Sequence, residues 1–191
     1  SRLPREKIPK GRSGRVMRVP HAMGGHRAHP PKAIKRLLER INLKEKNKAI
    51  RSAISATTNA ELIKMRNHSF SKSVPIIVPS SFEQIKRVKD LVAELEKLGL
   101  ADDLSRAKEG RQKRSGKSRL RKGGYIVPKS VLIVAGEDKG VWKACRNIPG
   151  VDFSKVGELN IELLAPGGQA GRLTVWTQDA LDKLESQQLY L

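Results

Sequence analysis

Positive charge in this chain is concentrated in segments that cannot build a hydrophobic core, and that concentration limits its folding more than any other feature. Residues 1–32 and 106–124 each hold nine Lys/Arg against one acid, so the two together carry +16 of a formal net charge of +20. Residues 130–191 hold six Lys/Arg against eight acids. The first basic segment has prolines at positions 4, 9, 20, 30 and 31 and glycines at 11, 14, 24 and 25, a spacing that no helical or strand period survives. Self-repulsion opposes its collapse, so residues 1–32 are expected to be extended and to order against an anion. At ~3.3 Å per residue the contour of this segment approaches about 100 Å. What must fold is residues 33–191, with 106–124 as a basic insertion. The partition implies a nearly neutral body that carries phosphate-binding arms.

The body divides by its apolar period. Ile34, Leu37, Leu38 and Ile41 share one helical face. Asn42 with Glu45 resembles a capping box opening a second helix with Ile50, Ala53, Ile54 and Thr57 inward, and Thr58 with Glu61 opens a third that carries Leu62, Ile63 and Met65. From residue 74 strands and helices alternate. VPIIV (74–78) reads as a buried strand. Ser81 and Gln84 cap a helix whose stripe is Ile85, Val88, Leu91, Val92, Leu95 and Leu98, with Gly99 as its stop. A small helix over 101–109 leads into the basic insertion. Beyond it come a strand at 131–134, a helix near 138–147, a strand near 151–156, a short helix near 159–165, a strand at 173–177 and a last helix from Gln178 to Ser186. Strand–helix alternation with strands rich in Val, Ile and Leu predicts an α/β domain with a mostly parallel sheet covered on both faces.

Catalytic and metal chemistry find little support. Gly116-Lys117-Ser118 invites a phosphate-loop reading, but that loop needs a glycine where Arg111 stands, and no strand precedes it. His21, His26 and His29 cluster without Cys or acid co-ligands, among cations that repel a divalent ion, so phosphate, sugar or base contacts are the better role. Cys145 is the single cysteine, cannot form an internal disulfide, suits a reducing compartment, and sits in an apolar helix as inert thiols do. Asp138 reads as a helix N-terminal acid. VAGEDKG lacks the glycine spacing of a dinucleotide site. No apolar run approaches the ~20 residues of a membrane helix.

The chain's seven rings (Phe70, Phe82, Tyr125, Trp142, Phe153, Trp176 and Tyr190) all lie outside both basic segments. Proteins that grip single strands rely on aromatic platforms. The pattern therefore favours folded RNA, held through phosphates, sugars and shape. The expected contacts are Arg2, Arg5, Lys7, Lys10, Arg12, Arg15, Arg18, His21, His26, Arg27, His29 and Lys32 in the first segment. In the second they are Arg106, Lys108, Arg111, Lys113, Arg114, Lys117, Arg119, Arg121 and Lys122. Two rivals remain: an architectural DNA- or RNA-binding protein, and a nucleotide-using α/β enzyme with its ligand at the carboxyl ends of the strands.

The stretches VPHAMGGHRAHPPK (19–32), NLKEKNKAIRSAISATTNAELI (42–63), WKACRNIPGV (142–151) and LNIELLAPGGQAGRLTVWT (159–177) resemble the large-subunit ribosomal protein four family. The loop 106–124 and the RNIPG element look like its archaeal and eukaryotic branch. The resemblance implies a three-layer α/β/α domain with a four-stranded parallel sheet and a long extended basic loop that runs into large-subunit rRNA. In that family the loop tip helps to form the narrow part of the nascent-peptide exit tunnel, beside a second ribosomal protein. Residues 1–32 match this loop, with Arg12, Arg15 and Arg18 expected near its tip and Lys32 at its return to the body. Family members carry several dozen residues before the loop, so the sequence is expected to begin inside it. The implied partners are large-subunit rRNA and neighbouring large-subunit proteins in the cytoplasm. No cofactor, metal, membrane, small-molecule substrate or homo-oligomer is implied, and no enzymatic activity.

Overall fold

The computed structural model describes residues 5–7, 13–16, 21, 27–121 and 123–190, in two units, Ser1–Arg40 and Ile41–Leu191. In the first unit β1 (Arg5–Lys7) and β2 (Ser13–Val16) pair antiparallel, with Arg5 opposite Val16 and Lys7 opposite Ser13. The sequence contains no strand period there. A two-stranded ribbon is held by backbone hydrogen bonds, which nearly any side chains permit, so it needs no alternation to announce it. The helix expected over Ile34–Ile41 does not form: no regular element spans residues 27–42, and Ile34, Leu37 and Leu38 are 92%, 85% and 94% exposed. A short amphipathic stretch is not helical unless its apolar face finds a partner.

The second unit runs α1 (Leu43–Ala56), α2 (Ala60–Met65), β3 (Ile76–Val78), α3 (Val88–Lys97), α4 (Ala101–Glu109), β4 (Gln112–Lys113) and β5 (Tyr125–Ile126). It continues with β6 (Leu132–Ala135), α5 (Val141–Cys145), β7 (Asp152–Lys155), α6 (Ile161–Leu164), β8 (Thr174–Thr177) and α7 (Gln178–Ser186). Strands β3, β8, β6 and β7 lie side by side in that order, every pair parallel, with Ile133 in register with Val175 and Phe153. Side chains alternate across the sheet. Val131, Ile133, Leu173 and Val175 face one layer, closed by Ile63 of α2, Leu91 and Leu95 of α3, Leu104 of α4 and Ala144 of α5. Leu132, Val134 and Trp176 face the other, closed by Ile50 and Ala53 of α1, Leu164 of α6 and Ala180 of α7. The expected three-layer α/β/α arrangement is thus the one observed. The central strands β6 and β8 are wholly buried, which is why neither shows a polar–apolar alternation, whereas edge strand β3 exposes Ile77.

Local signals shift by a few residues. Asn42 makes no side-chain cap on α1. The cap of α2 is Asn59, not Thr58, its Oδ1 accepting from the backbone N–H groups of Glu61 and Leu62 at 2.9 and 3.4 Å. Ser80–Gln84 form a 3-10 turn, and α3 begins only at Val88.

Two buried polar clusters tie the layers together at the amino ends of the strands. In the first, Asp103 of α4 is fully buried and accepts from the Ser130 hydroxyl just before β6, from the Ser69 N–H at 3.2 Å and from Arg106 Nε at 3.0 Å, with His68 Nδ1 at 3.1 Å. In the second, Arg172 is the largest fully buried side chain. Its Nε donates to the Ser130 carbonyl at 2.9 Å, and its terminal nitrogens donate to the carbonyls of Leu163 and Gly150 at 2.8 and 3.3 Å and to Asp152 Oδ2 at 2.6 Å.

Both carboxylates titrate low. Burial pushes Asp103 up, but hydrogen bonds from His68 and Ser130 and the charges of His68 and Arg106 outweigh it and hold the group below its ordinary value. Burial likewise pushes Asp152 up, and Lys129 and Arg172 outweigh it. A carboxyl that titrates lower in the folded than in the unfolded state adds stability above the unfolded value, and loses it as pH falls through the folded one. Stability should therefore hold down to the unfolded carboxylate range near ~4 and drain away below it. Urea midpoints measured from pH 7 to pH 3 test this; a midpoint that rises on acidification would contradict it.

Candidate nucleic-acid interface

The second basic segment is built as a ribbon. Gln112 pairs with Ile126 and Lys113 with Tyr125, joining β4 to β5 antiparallel, and a 3-10 turn over Gly116–Arg119 lies in the loop between them. Arg114 reinforces the pairing: its N–H donates to the Gly124 carbonyl at 2.7 Å and its Nε to the Tyr125 carbonyl at 2.9 Å. Lys108, Arg111, Lys113, Arg114, Lys117, Arg119 and Arg121 are all exposed along it. Arg106 differs, because its guanidinium is committed to Asp103 and to the Lys129 carbonyl at 2.9 Å. Lys122 lies outside the described residues. In the first segment His21, Arg27, His29 and Lys32 are exposed, and Arg5, Lys7 and Arg15 lie in the β1–β2 ribbon. Arg2, Lys10, Arg12, Arg18 and His26 lie outside the described residues.

The ribbon brings a ring to the charge. Tyr125 flanks the basic block in sequence, and pairing sets its ring 4.1 Å from the Arg111 guanidinium carbon. Arg146 rests on Trp142 at 5.1 Å. Arg111, Tyr125, Lys129 and Arg146 line one open groove of about 360 Å³, floored by the turn that ends at Gly150. Gly150 has φ +78°, and a Cβ there would meet the Pro128 carbonyl at 2.5 Å. The turn and the root of the ribbon can approach this closely only because residue 150 has no side chain. Of these groups the sequence reading had singled out Arg111 alone. The proximity of Tyr125 to the block was the available signal for the rest.

The groove lies at the amino ends of the strands. Between the carboxyl ends of β6 and β8, on the side of the sheet where open α/β folds bind ligands, the protein's own side chains meet. Buried Glu83 accepts from the Gly136 N–H at 2.9 Å and from the Thr177 hydroxyl at 2.8 Å, while Lys139 bridges it to Asp179 at 3.1 and 3.2 Å. Ser80 donates to Asp179, and a Cβ on Gly136 would come within 2.9 Å of Asp179 Cβ. Cys145 is buried, and loss of solvation together with the charge of Asp138 pushes its thiol up to about 12, so it stays protonated and inert. Asp138 accepts from the N–H groups of Gly140 and Trp142 at 2.9 and 3.3 Å, the helix-start role read from its position. Among the described residues no helix is long and apolar enough to cross a membrane.

Residues 6–187 match the model of the Ribosomal protein L4/L1 family. The chain is 50% identical over 184 residues to the large ribosomal subunit protein uL4 of Methanocaldococcus jannaschii, covering 96% of this chain and 73% of that one. It is 49% identical over 179 residues to uL4 of Methanococcoides burtonii (93% and 71% covered) and 47% identical over 184 residues to uL4 of Archaeoglobus fulgidus (96% and 71% covered). The match runs through the ribbon, the groove and the three-layer body alike, and the chain belongs to the Ribosomal protein L4/L1 family, whose members are structural proteins of the ribosome rather than enzymes.

Proposed function

We propose that this chain is a structural constituent of the cytoplasmic large ribosomal subunit, that it binds large-subunit rRNA through its two basic segments, and that residues 1–32 reach the nascent-peptide exit tunnel. The observation that carries the reading is the row of exposed cations from Arg111 to Arg121, projected by the β4–β5 ribbon. Such a row neutralises the phosphate repulsion between RNA helices and stabilises their tertiary packing. The acidic 130–191 region is left for neighbouring large-subunit proteins.

Each neutralised phosphate releases condensed counterion, so affinity falls steeply with salt. Replacing Lys117, Arg119 and Arg121 by Ala, or Arg12, Arg15 and Arg18 by Ala, is expected to weaken binding to large-subunit rRNA and to flatten the log–log salt slope by about 2 for each set. Filter-binding titrations from low to moderate salt read both quantities, and an unchanged slope contradicts the reading. The cooperative melt should survive replacement of Lys117, Arg119 and Arg121, whose side chains are exposed. Tagged chain should co-sediment with large subunits on sucrose gradients. Equal affinity for duplex DNA without ribosome association would favour the architectural alternative.

A further inference from the structure

We infer that the groove between the ribbon and the Gly150 turn is a subsite for one unpaired nucleotide of the rRNA, with Tyr125 as its stacking platform and Arg111 and Arg146 as its phosphate ligands. The inference rests on the rRNA-binding reading and adds to it a kind of contact that the basic rows do not make.

Three observations commit the groove to this occupant. The first is charge. Arg111, Lys129 and Arg146 line it against a single carboxylate, Asp152, which is already held by Arg172 at 2.6 Å and Lys129 at 2.8 Å. The groove therefore carries uncompensated positive charge and suits an anion. The second is the ring. Tyr125 keeps 44% of its surface exposed although Arg111 lies 4.1 Å from its centroid. Arg111 covers one face of the ring, so a base can stack on the ring's other face or on the outer face of the guanidinium, since guanidinium planes stack on bases as rings do. The third is pre-organisation. Arg146 is held against Trp142 at 5.1 Å, Arg106 donates to the Lys129 carbonyl at 2.9 Å, and Arg172 donates to the Gly150 carbonyl at 3.3 Å. Both walls are thereby anchored in the core before any ligand arrives. The exposed amide of Asn147, also on the wall, offers a donor and an acceptor to a base edge. The volume of about 360 Å³ lies in the range of pockets that hold small-molecule-sized groups. A duplex cannot present a base face to such a groove, so the nucleotide it takes is one splayed out of a loop, bulge or junction.

The test compares Tyr125→Ala, Tyr125→Phe and Arg146→Ala with the unaltered chain, using transcribed large-subunit rRNA as the probe. Tyr125→Ala should weaken binding roughly 5- to 100-fold while leaving the salt slope unchanged, because stacking releases no counterion. Tyr125→Phe should bind as the unaltered chain does. Arg146→Ala should weaken binding and lower the slope by about 0.7–0.9. Chemical probing of unpaired bases should reveal a nucleotide protected by the unaltered chain and by Tyr125→Phe but reactive with Tyr125→Ala. Thermal melts confirm that each variant is folded. The inference is overturned if folded Tyr125→Ala binds and protects the rRNA as well as the unaltered chain. It is also overturned if a photoreactive group attached at Asn147→Cys crosslinks, in large subunits, to a neighbouring protein and not to rRNA. If the unaltered chain itself fails to bind rRNA, the broader reading falls instead.

Discussion

Asp103→Ala should cost the fold about 3–5 kcal/mol, the penalty for removing one partner of a buried ionic cluster. The carboxylate is fully buried and holds the Ser130 hydroxyl, the Ser69 N–H, His68 and Arg106 together. With it gone, these donors stay in the protein interior without water, and Arg106 loses the charge that offsets its own. For a chain of this size each kcal/mol moves the melting temperature by roughly 2–4 °C, so a fall of about 10 °C is expected. Asp103→Asn keeps the volume and one acceptor and should cost less. Urea unfolding of both variants measures the difference; a loss below ~1 kcal/mol for Asp103→Ala would show that the cluster contributes little. Although Ser130, Asp103 and His68 are the residue types of a hydrolase triad, the acid stands between the other two and all are buried. The geometry needed for nucleophilic attack is absent, because no base touches the serine.

Arg172→Ala is expected to be comparably damaging, by several kcal/mol, and Arg172→Lys should recover less than half of that. The guanidinium spends three nitrogens on three carbonyls and one carboxylate, and burial, the dominant influence, pulls its pKa down while Asp152 pulls it back up. A lysine ammonium is a single point charge without the planar fork and cannot reach all four acceptors. The variant also empties a volume that the surrounding backbone cannot fill. In a double-mutant cycle with Asp152→Ala, a coupling above ~1 kcal/mol is expected from direct contact. Additive losses would contradict the pairing. Arg172 joins the starts of β6, β7 and β8, which is also where the groove and the ribbon are rooted. Variants that still fold should therefore bind rRNA more weakly than their surface charge alone explains.

Function is distributed along this architecture in a consistent way. An open parallel sheet offers a ligand crevice at the carboxyl ends of its strands, and here Glu83, Lys139, Asp179 and the close approach of Gly136 occupy the part of it between β6 and β8. The opposite end carries the ribbon, the groove and the exposed cations. Under the proposed function, a fold that elsewhere hosts enzymes serves here as a rigid base for RNA contacts, in keeping with the rule that function resides in the site and not in the fold.

The sequence by itself determined the class of the body and the location of its charge. Leu132–Ala135 is an apolar run and Thr174–Thr177 lacks a polar–apolar alternation because strands covered on both faces have no wet side, and that pattern needs no knowledge of what covers them. The last helix, expected from about Gln178 to Ser186, forms there because its apolar stripe faces a core that its own neighbours supply, and the Thr177 side chain caps its start. The charge of residues 106–124 was equally plain, being a property of composition. Tertiary structure alone decided the remainder. The same apolar spacing that makes a helix of α3 leaves Ile34, Leu37 and Leu38 exposed and non-helical, since a stripe becomes a helix only where something buries it. Pairing of Gln112 with Ile126 across the basic loop set Tyr125 beside Arg111, and buried Asp103 and Arg172 found partners on segments 20 to 42 residues away or more locally. Such contacts depend on which segments the folded chain brings together, and no spacing along the sequence encodes that distance.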